Sequence, residues 1–165
     1  MGAIEDAQAQ AAANAAVDAA AITAGSTAEA TTERLPVETV AATNTLTKAE
    51  SGKVMFLDAA TEFVTTLPAP AAGLEFEFIV ANAPESASFT IVTNGSANIM
   101  RGHILSSDLN AASDGDSEAS GGDTLTFVDS KAVIGDRARF VSDGTYWYVQ
   151  ASCVAFDAIT ITTAS

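Results

Sequence analysis

The stretch GDRARFVSDGTYWYVQ, residues 135–150, decides the fold that we predict for this chain. Asp143-Gly144 stands between two runs in which apolar and polar residues alternate, and Asp-Gly supplies the positive φ angles that a tight β-hairpin needs. The stretch also contains the only Trp and both Tyr of the chain. We therefore predict two antiparallel strands joined by a two-residue loop.

A two-residue loop fixes which residues of the two strands lie opposite each other, because partners are counted outward from the turn. It pairs Val141 with Tyr146 and Phe140 with Trp147. One face of the hairpin then carries Ala138, Phe140, Trp147 and Val149, and the other carries Arg137, Arg139, Tyr146, Tyr148 and Gln150. This division predicts a sheet with one buried face and one partly solvated face.

The residues before and after this hairpin predict further short strands. Residues 74–80, LEFEFIV, alternate strictly, which is typical of a half-buried strand. Asn94-Gly95 predicts a second hairpin between residues 88–93 and 96–104. Shorter runs at 54–57, 63–67, 124–128, 152–156 and 158–162 bring the total to about eight to ten strands without intervening helices. We therefore predict a mainly β domain, an antiparallel β-sandwich or barrel of jelly-roll type.

The N-terminal 47 residues have a different composition. Residues 3–24 are rich in Ala, with Glu5 and Asp6 near the start and Gly25 after the end, which favours a helix of about 20 residues. An Ala-rich tail of fluctuating helicity is the alternative. Residues 25–47 are predicted to form an extended arm, in which Val37 and Val40 would add an edge strand. We divide the chain into an arm, residues 1–47, and a β-domain, residues 48–165.

The charge of the chain disfavours several partners. Its 21 acidic and 7 basic residues give a net charge of −14, which repels the phosphate backbone of nucleic acids. No run approaches the roughly 18 apolar residues of a membrane span, and no N-terminal stretch resembles a signal peptide. We expect a protein made in the cytosol, with neither a nucleic acid nor a membrane as its partner.

The acidic loop, residues 108–123, is a candidate calcium site. Asp114, Asp116 and Glu118 stand at alternate positions, with Asp108 and Asp123 nearby, and calcium prefers such oxygen ligands. The EF-hand pattern also needs a Gly at its sixth position and a Glu at its twelfth, and neither is in register. We favour a solvated loop and predict no metal.

No set of residues predicts catalysis or a cofactor. His103, the only histidine, has no partner nearby in sequence for a triad or a metal motif, so a place on a strand face or at a subunit contact is expected. Cys153 cannot form an internal disulfide, and its apolar neighbours favour a buried, inert thiol. Glu75 and Glu77 alternate on one face of a strand, which is more typical of a solvated face than of paired catalytic acids.

The order ESGKVMFLDAATEFVTTLPAP, AAGLEFEFIV, SFTIVTNGSANIMRG and GDRARFVSDGTYWYVQ resembles the small β-domains of tailed-bacteriophage virion proteins. The similarity covers roughly residues 48–151 and is closest to head decoration (cement) proteins and some tail-fibre modules. It implies a β-sandwich or barrel, often trimeric, that binds the outside of the capsid across junctions between major capsid proteins.

We therefore expect a non-enzymatic capsid decoration protein on the virion exterior, a homo-trimer whose partner is the major capsid protein. The interface residues that we predict are Ile4, Val17, Ile22 and Leu35 in the arm and Arg137, Arg139, Tyr146 and Tyr148 on the hairpin. The alternative is a tail-fibre or receptor-binding module, although the Ala-rich segment lacks the Leu or Ile heptads of a coiled coil. A carbohydrate-active enzyme would need paired acids in a cleft beside aromatic platforms, of which the sequence offers few.

Overall fold

The computed structural model describes residues 34–107 and 116–163, and for residues 116–120 it describes the backbone alone. One compact unit spans Pro36–Ser165. Its strands are β1 (Val37–Val40), β2 (Asn44–Thr45), β3 (Val54–Leu57), β4 (Phe63–Thr66), β5 (Ala72–Val80), β6 (Phe89–Val92), β7 (Met100–Ser106), β8 (Asp116–Gly122), β9 (Thr124–Phe127), β10 (Arg137–Asp143), β11 (Trp147–Cys153) and β12 (Ile159–Thr162). The segment 36–47, which the sequence assigned to the arm, thus contains two strands of the β-domain.

The strands form two mixed sheets. The larger sheet has seven strands in the order β1-β3-β5-β10-β11-β7-β8, and the smaller has five in the order β12-β9-β6-β4-β2. The prediction of a mainly β protein with a sandwich architecture is confirmed. Strand β1 is at one edge of the larger sheet, as Val37 and Val40 predicted.

The pairing of the strands is not purely antiparallel, and on this point the prediction was wrong. From β1 to β6 the chain alternates between the two sheets, so β1, β3 and β5 pair in parallel in the larger sheet. Strands β2, β4 and β6 do the same in the smaller sheet, and β7 pairs in parallel with β11. Parallel neighbours need long connections, and here each connection contains a strand of the opposite sheet.

The core lies between the two sheets and is rich in aromatic side chains. Phe76 and Trp147 pack with ring centroids 5.9 Å apart, and Phe78 meets Phe140 edge-on at 5.5 Å. In the smaller sheet, Phe63 stacks on Phe89 at 4.5 Å. All six rings are at most 1% exposed. These are the inward positions of the alternating patterns, as expected from the period of two in a strand.

The main hairpin forms with the predicted faces but in a different register. Phe140 lies opposite Val149 and Ser142 opposite Trp147, a shift of two residues from the predicted pairing. Because side chains alternate with a period of two, a shift of two positions leaves every side chain on its face. The connection is therefore longer than two residues, and its polar contacts are described below.

The second predicted hairpin is wrong. Residues on the two sides of Asn94-Gly95 belong to different sheets: β6 lies in the smaller and β7 in the larger. Asn94–Ser96 instead forms a 3-10 turn in which Gly95 has a φ of 68°. The Thr93 hydroxyl donates to the carbonyl of Ala97 at 2.7 Å and closes this corner. An Asn-Gly pair supplies the same positive φ to a sheet-crossing corner as to a hairpin.

Candidate interaction surface

The outward side of four strands of the larger sheet carries an unusual set of side chains, which we call the outer face. Adjacent outward positions are aligned by the register of β5, β10, β11 and β7. They are Glu75, Glu77 and Ile79 on β5, Arg137, Arg139 and Val141 on β10, Tyr148, Gln150 and Ser152 on β11, and Arg101, His103 and Leu105 on β7. Three of the four arginines of this acidic chain therefore lie on one face.

Asp143 forms hydrogen bonds at the end of the outer face where Tyr146 and Tyr148 lie. Its Oδ1 accepts hydrogen bonds from the backbone N–H groups of Thr145 and Tyr146 at 2.7 and 2.8 Å. Its Oδ2 accepts a hydrogen bond from the hydroxyl of Tyr148 at 3.0 Å. An Asp side chain that binds backbone N–H groups two and three residues ahead closes a local turn. This turn lengthens the predicted two-residue loop and accounts for the shift in register.

These hydrogen bonds change the acidity of both partners. The backbone N–H groups of Tyr146 and Thr145 stabilise the carboxylate and lower the pKa of Asp143. The hydrogen bond to Asp143 raises the pKa of Tyr148, since ionisation would remove the donated proton. At neutral pH Asp143 is therefore the charged acceptor of this hydrogen bond and Tyr148 its neutral donor.

Tyr146 and Tyr148 form an aromatic surface, and contacts with neighbouring side chains hold both rings in position. Tyr148 is 46% exposed although its hydroxyl is bound. The guanidinium of Arg101 lies 4.2 Å from the ring centroid of the half-buried Tyr146, within cation–π range. Side chains that are ordered before binding lose less entropy when a partner arrives. Tyr146, Tyr148 and Arg101 form what we call the aromatic end.

The arginines of β10 differ in their partners. Nε of Arg139 donates to Oε1 of Glu75 at 2.7 Å, and this hydrogen bond raises the pKa of the Arg139 guanidinium. Both side chains are close to half exposed, so solvent screens the pair and it adds little to stability. Arg137 is exposed and makes no ion pair within the described part of the chain. Its charge is free to meet a partner.

A groove runs from the middle of the outer face to the end of the sheet. Its first part, about 380 Å³, is lined by Glu77, His103, Leu105, Arg137, Arg139, Gln150, Ala151 and Ser152. The second part, about 430 Å³, shares Leu105, Arg137 and Ser152 with the first. It continues past the exposed aliphatic side chains of Ile134 and Val154. The groove thus combines a basic middle with an apolar end.

Asp136 fixes the apolar end of the groove. Its side chain is 2% exposed, and its two carboxylate oxygens accept hydrogen bonds from the backbone N–H groups of Val133 at 2.9 Å and Val154 at 3.0 Å. These bonds join the loop before β10 to the segment after β11. Leu105, Ile134 and Val154 are 53%, 68% and 56% exposed. Exposed aliphatic groups on a fixed backbone are typical of protein-binding surfaces.

The predicted interface residues of the hairpin lie on one face, as expected. Arg137, Arg139 and Tyr148 are exposed, and Tyr146 is half-buried. Leu35 is 69% exposed. Ile4, Val17 and Ile22 lie outside the described residues. The sequence did not predict Arg101, Leu105, Ile134 or Val154 as part of the surface, because their scatter through the chain gives no local signal.

The residues that were considered as catalytic or metal-binding candidates lie at the following places in the fold. His103 is exposed on β7, as expected for a strand face. Cys153 is 6% exposed and borders the groove, and burial raises the pKa of its thiol. Asp108 and Asp114 of the candidate calcium loop lie outside the described residues. Among the side chains of residues 34–107 and 121–163, no three His, Cys, Asp or Glu residues are grouped as metal ligands would be.

The described segments contain no helix that combines the length and apolar character of a membrane-spanning segment. Searches for similar proteins gave no match: no protein-family model, no curated protein and no solved structure resembles this chain at a significant level.

Proposed function

We propose that this protein is a capsid decoration protein of a tailed bacteriophage, a non-enzymatic structural protein that binds the outside of the shell of major capsid protein and stabilises it. The observation that carries the proposal is the outer face of the larger sheet. It gathers arginine and tyrosine, which are enriched in protein interfaces and their energetic hot spots.

The aromatic end is the part of the outer face that we assign to the shell. Tyr148 and Tyr146 are large, and hydrogen bonding by Asp143 orders the Tyr148 ring and the backbone of the loop that carries Tyr146. Burial of such rings against a partner gives much contact area for little loss of side-chain entropy. Many copies on one shell would each add such contacts, and these contacts together would stabilise the shell.

The sequence resemblance supports the same proposal. The segments that resemble head decoration proteins contain β3, β4, β5, β6, β10 and most of β11. Of these strands, β3, β5, β10 and β11 form the centre of the larger sheet, and β4 and β6 belong to the smaller sheet. By that resemblance we propose a homo-trimer, made in the host cytoplasm, that binds neither nucleic acid nor membranes. A net charge of −14 also keeps unbound copies from associating with nucleic acid.

The test is reconstitution on particles of the phage that encodes this chain, grown from a mutant genome in which its gene has been deleted. Purified full-length protein is added, the particles are sedimented, and copies per major capsid protein are counted by mass spectrometry. We expect saturable binding to heads and resistance of the loaded heads to heat or osmotic shock. Binding to tails, or no binding to heads, would contradict the proposal and favour the tail-fibre alternative.

Two variants test whether the aromatic end makes the contact with the shell. Tyr148→Ala removes the more exposed of the two tyrosine rings and should weaken binding about tenfold or more, the scale of an interface hot spot. Val37→Ala is the matched control, because Val37 is also an exposed apolar residue, at 63%, but lies on the edge strand β1. Equal binding of the two variants would exclude the aromatic end from the contact. Thermal melts of both establish that each remains folded.

A further inference from the structure

The groove on the outer face is basic in its middle in a chain that is acidic overall. Arg137 lines both parts of the groove and makes no ion pair within the described residues. Arg139 lines one part and uses Nε for Glu75, which leaves its terminal N–H groups for a ligand. Gln150 and His103 add exposed polar groups beside them. An extended segment with carboxylates and a few aliphatic side chains would match this lining.

The first 33 residues of the same chain have that composition. They contain five carboxylates and neither Lys nor Arg, and their larger aliphatic residues are Ile4, Val17 and Ile22. The carboxylates are Glu5, Asp6, Asp18, Glu29 and Glu33. Charge complementarity of this kind steers association and fixes the register of a complex. The aliphatic residues suit Leu105, Ile134 and Val154, which are all more than half exposed at the apolar end.

We propose that the groove binds residues 1–33 of a second copy of the chain, so that neighbouring copies exchange arms. The segment joins the β-domain just before β1, which is the far edge of the larger sheet from β7. An arm returning to the groove of its own copy across the outer face would have to pass the carboxylate of Glu75 on β5 before it reached the groove. The arm of a neighbour can enter at the end of the sheet, beside Ile134 and Val154.

Reach does not limit this exchange. An extended segment of 33 residues spans up to about 110 Å, several times the distance of about 14 Å between β1 and the groove strand β10 within one sheet, so it can extend well beyond its own sheet. The aromatic end is left uncovered, so arm exchange and shell binding use different parts of one face. The inference concerns the isolated protein and holds wherever the protein acts.

The first test measures self-association of the full-length protein by sedimentation velocity across a range of concentrations. We expect concentration-dependent association that weakens as salt is raised, since salt screens exposed charges. Arg137→Glu should weaken it about tenfold. Lys48→Glu is the matched control, because it makes the same charge change on an exposed residue outside the groove. A protein that stays monomeric, or two variants with equal association, would overturn the inference.

The second test identifies the occupant. Arg137→Lys retains the charge and supplies an amine that a carbodiimide can join to a nearby carboxylate. The first basic residue is Arg34, so trypsin releases residues 1–34 as one peptide. In a mixture of ¹⁴N- and ¹⁵N-labelled chains, we expect this peptide joined to Lys at position 137 of the other isotope. Links within one isotope only, or links that omit this peptide, would overturn arm exchange, and the proposed capsid function would be unaffected.

Discussion

Among the described glycines, Gly102 is the one at which an added Cβ atom would lie nearest to another atom, and its replacement gives a sharp test of the fold. It lies on β7 opposite Val149 of β11, in a parallel pair. A Cβ atom at this position would lie 1.9 Å from the carbonyl oxygen of Val149, and the φ of 149° is one that residues with a side chain rarely adopt. Gly102→Ala therefore imposes both a steric overlap and an unfavourable backbone conformation.

The expected loss of stability is the sum of the steric overlap and the unfavourable backbone conformation. The oxygen would have to move by about 1.5 Å to reach the 3.4 Å at which ordinary van der Waals contact begins. A shift of that size breaks the ladder hydrogen bonds on either side, at about 1 kcal/mol each or more where the groups stay buried. The unfavourable φ adds about 1–3 kcal/mol. Together, Gly102→Ala should lower the free energy of unfolding by about 3–6 kcal/mol, much of the total for a domain of this size.

Urea unfolding measures this cost, with the fluorescence of Trp147 as the signal, because this single Trp is fully buried. Gly73→Ala is the matched control: Gly73 lies in a strand with a φ of 83°, and no atom lies within 4 Å of the place that a Cβ atom would take. The control should cost only about 1–2 kcal/mol. If both variants lose the same stability, the close parallel pairing of β7 with β11 is wrong.

Three further predictions concern the core and the outer face. Trp147→Ala should cost about 3–5 kcal/mol in urea unfolding, whereas Trp147→Phe should cost clearly less, because the buried Nε1–H of Trp147 has no hydrogen-bond acceptor among the described residues; equal costs would contradict this. Asp136→Ala should lower the free energy of unfolding by about 2–5 kcal/mol, since it leaves the backbone N–H groups of Val133 and Val154 without their acceptor. A loss under about 1 kcal/mol would show that these two hydrogen bonds do not stabilise the fold. The pKa of Asp143 is lowered in the folded protein. The stability that the Asp143 carboxylate adds is therefore fully present above the pKa it has in the unfolded chain, and it is lost as the pH falls through the pKa of the folded state. Thermal melts from about pH 5 to 2 should therefore show a larger loss for the wild type than for Asp143→Asn, and parallel curves would contradict this.

The sequence predicted the faces of strands better than it predicted their partners. The alternation of apolar and polar residues in 74–80 and around Trp147 can be recognised from the local sequence alone. In both segments the side chains that were predicted to face inward are buried. Which strands are neighbours depends on contacts far apart in the chain. The parallel pairs of β1, β3 and β5 have no local signal, since each strand alternates in the same way whatever its partner's direction.

Turn residues were informative about backbone conformation and misleading about connectivity. Asp143-Gly144 does join two paired strands, but the Asp143 carboxylate binds two backbone N–H groups and lengthens the loop. Asn94-Gly95 supplies a positive φ at a corner between sheets. The same dipeptide chemistry serves both geometries, and only the packing of the flanking strands distinguishes them.

The outer face was predicted in part for the same reason. Arg137, Arg139, Tyr146 and Tyr148 belong to one hairpin, so alternation alone placed them together. Arg101 and Leu105 join them through the pairing of β7 with β11, which are separated by about forty residues in sequence. Ile134 and Val154 lie outside the strands, where no periodicity indicates exposure. The basic and apolar groove is therefore a product of the topology.

The most direct test of the proposed function is a cryo-electron microscopy map of the particle that carries this protein, at a resolution sufficient to orient the two sheets. We predict density for the β-sandwich on the outside of the capsid, with the aromatic end of the outer face, including Tyr146 and Tyr148, against the major capsid protein. Copies on the tail, or copies on the capsid whose outer face is turned toward solvent, would contradict the proposal.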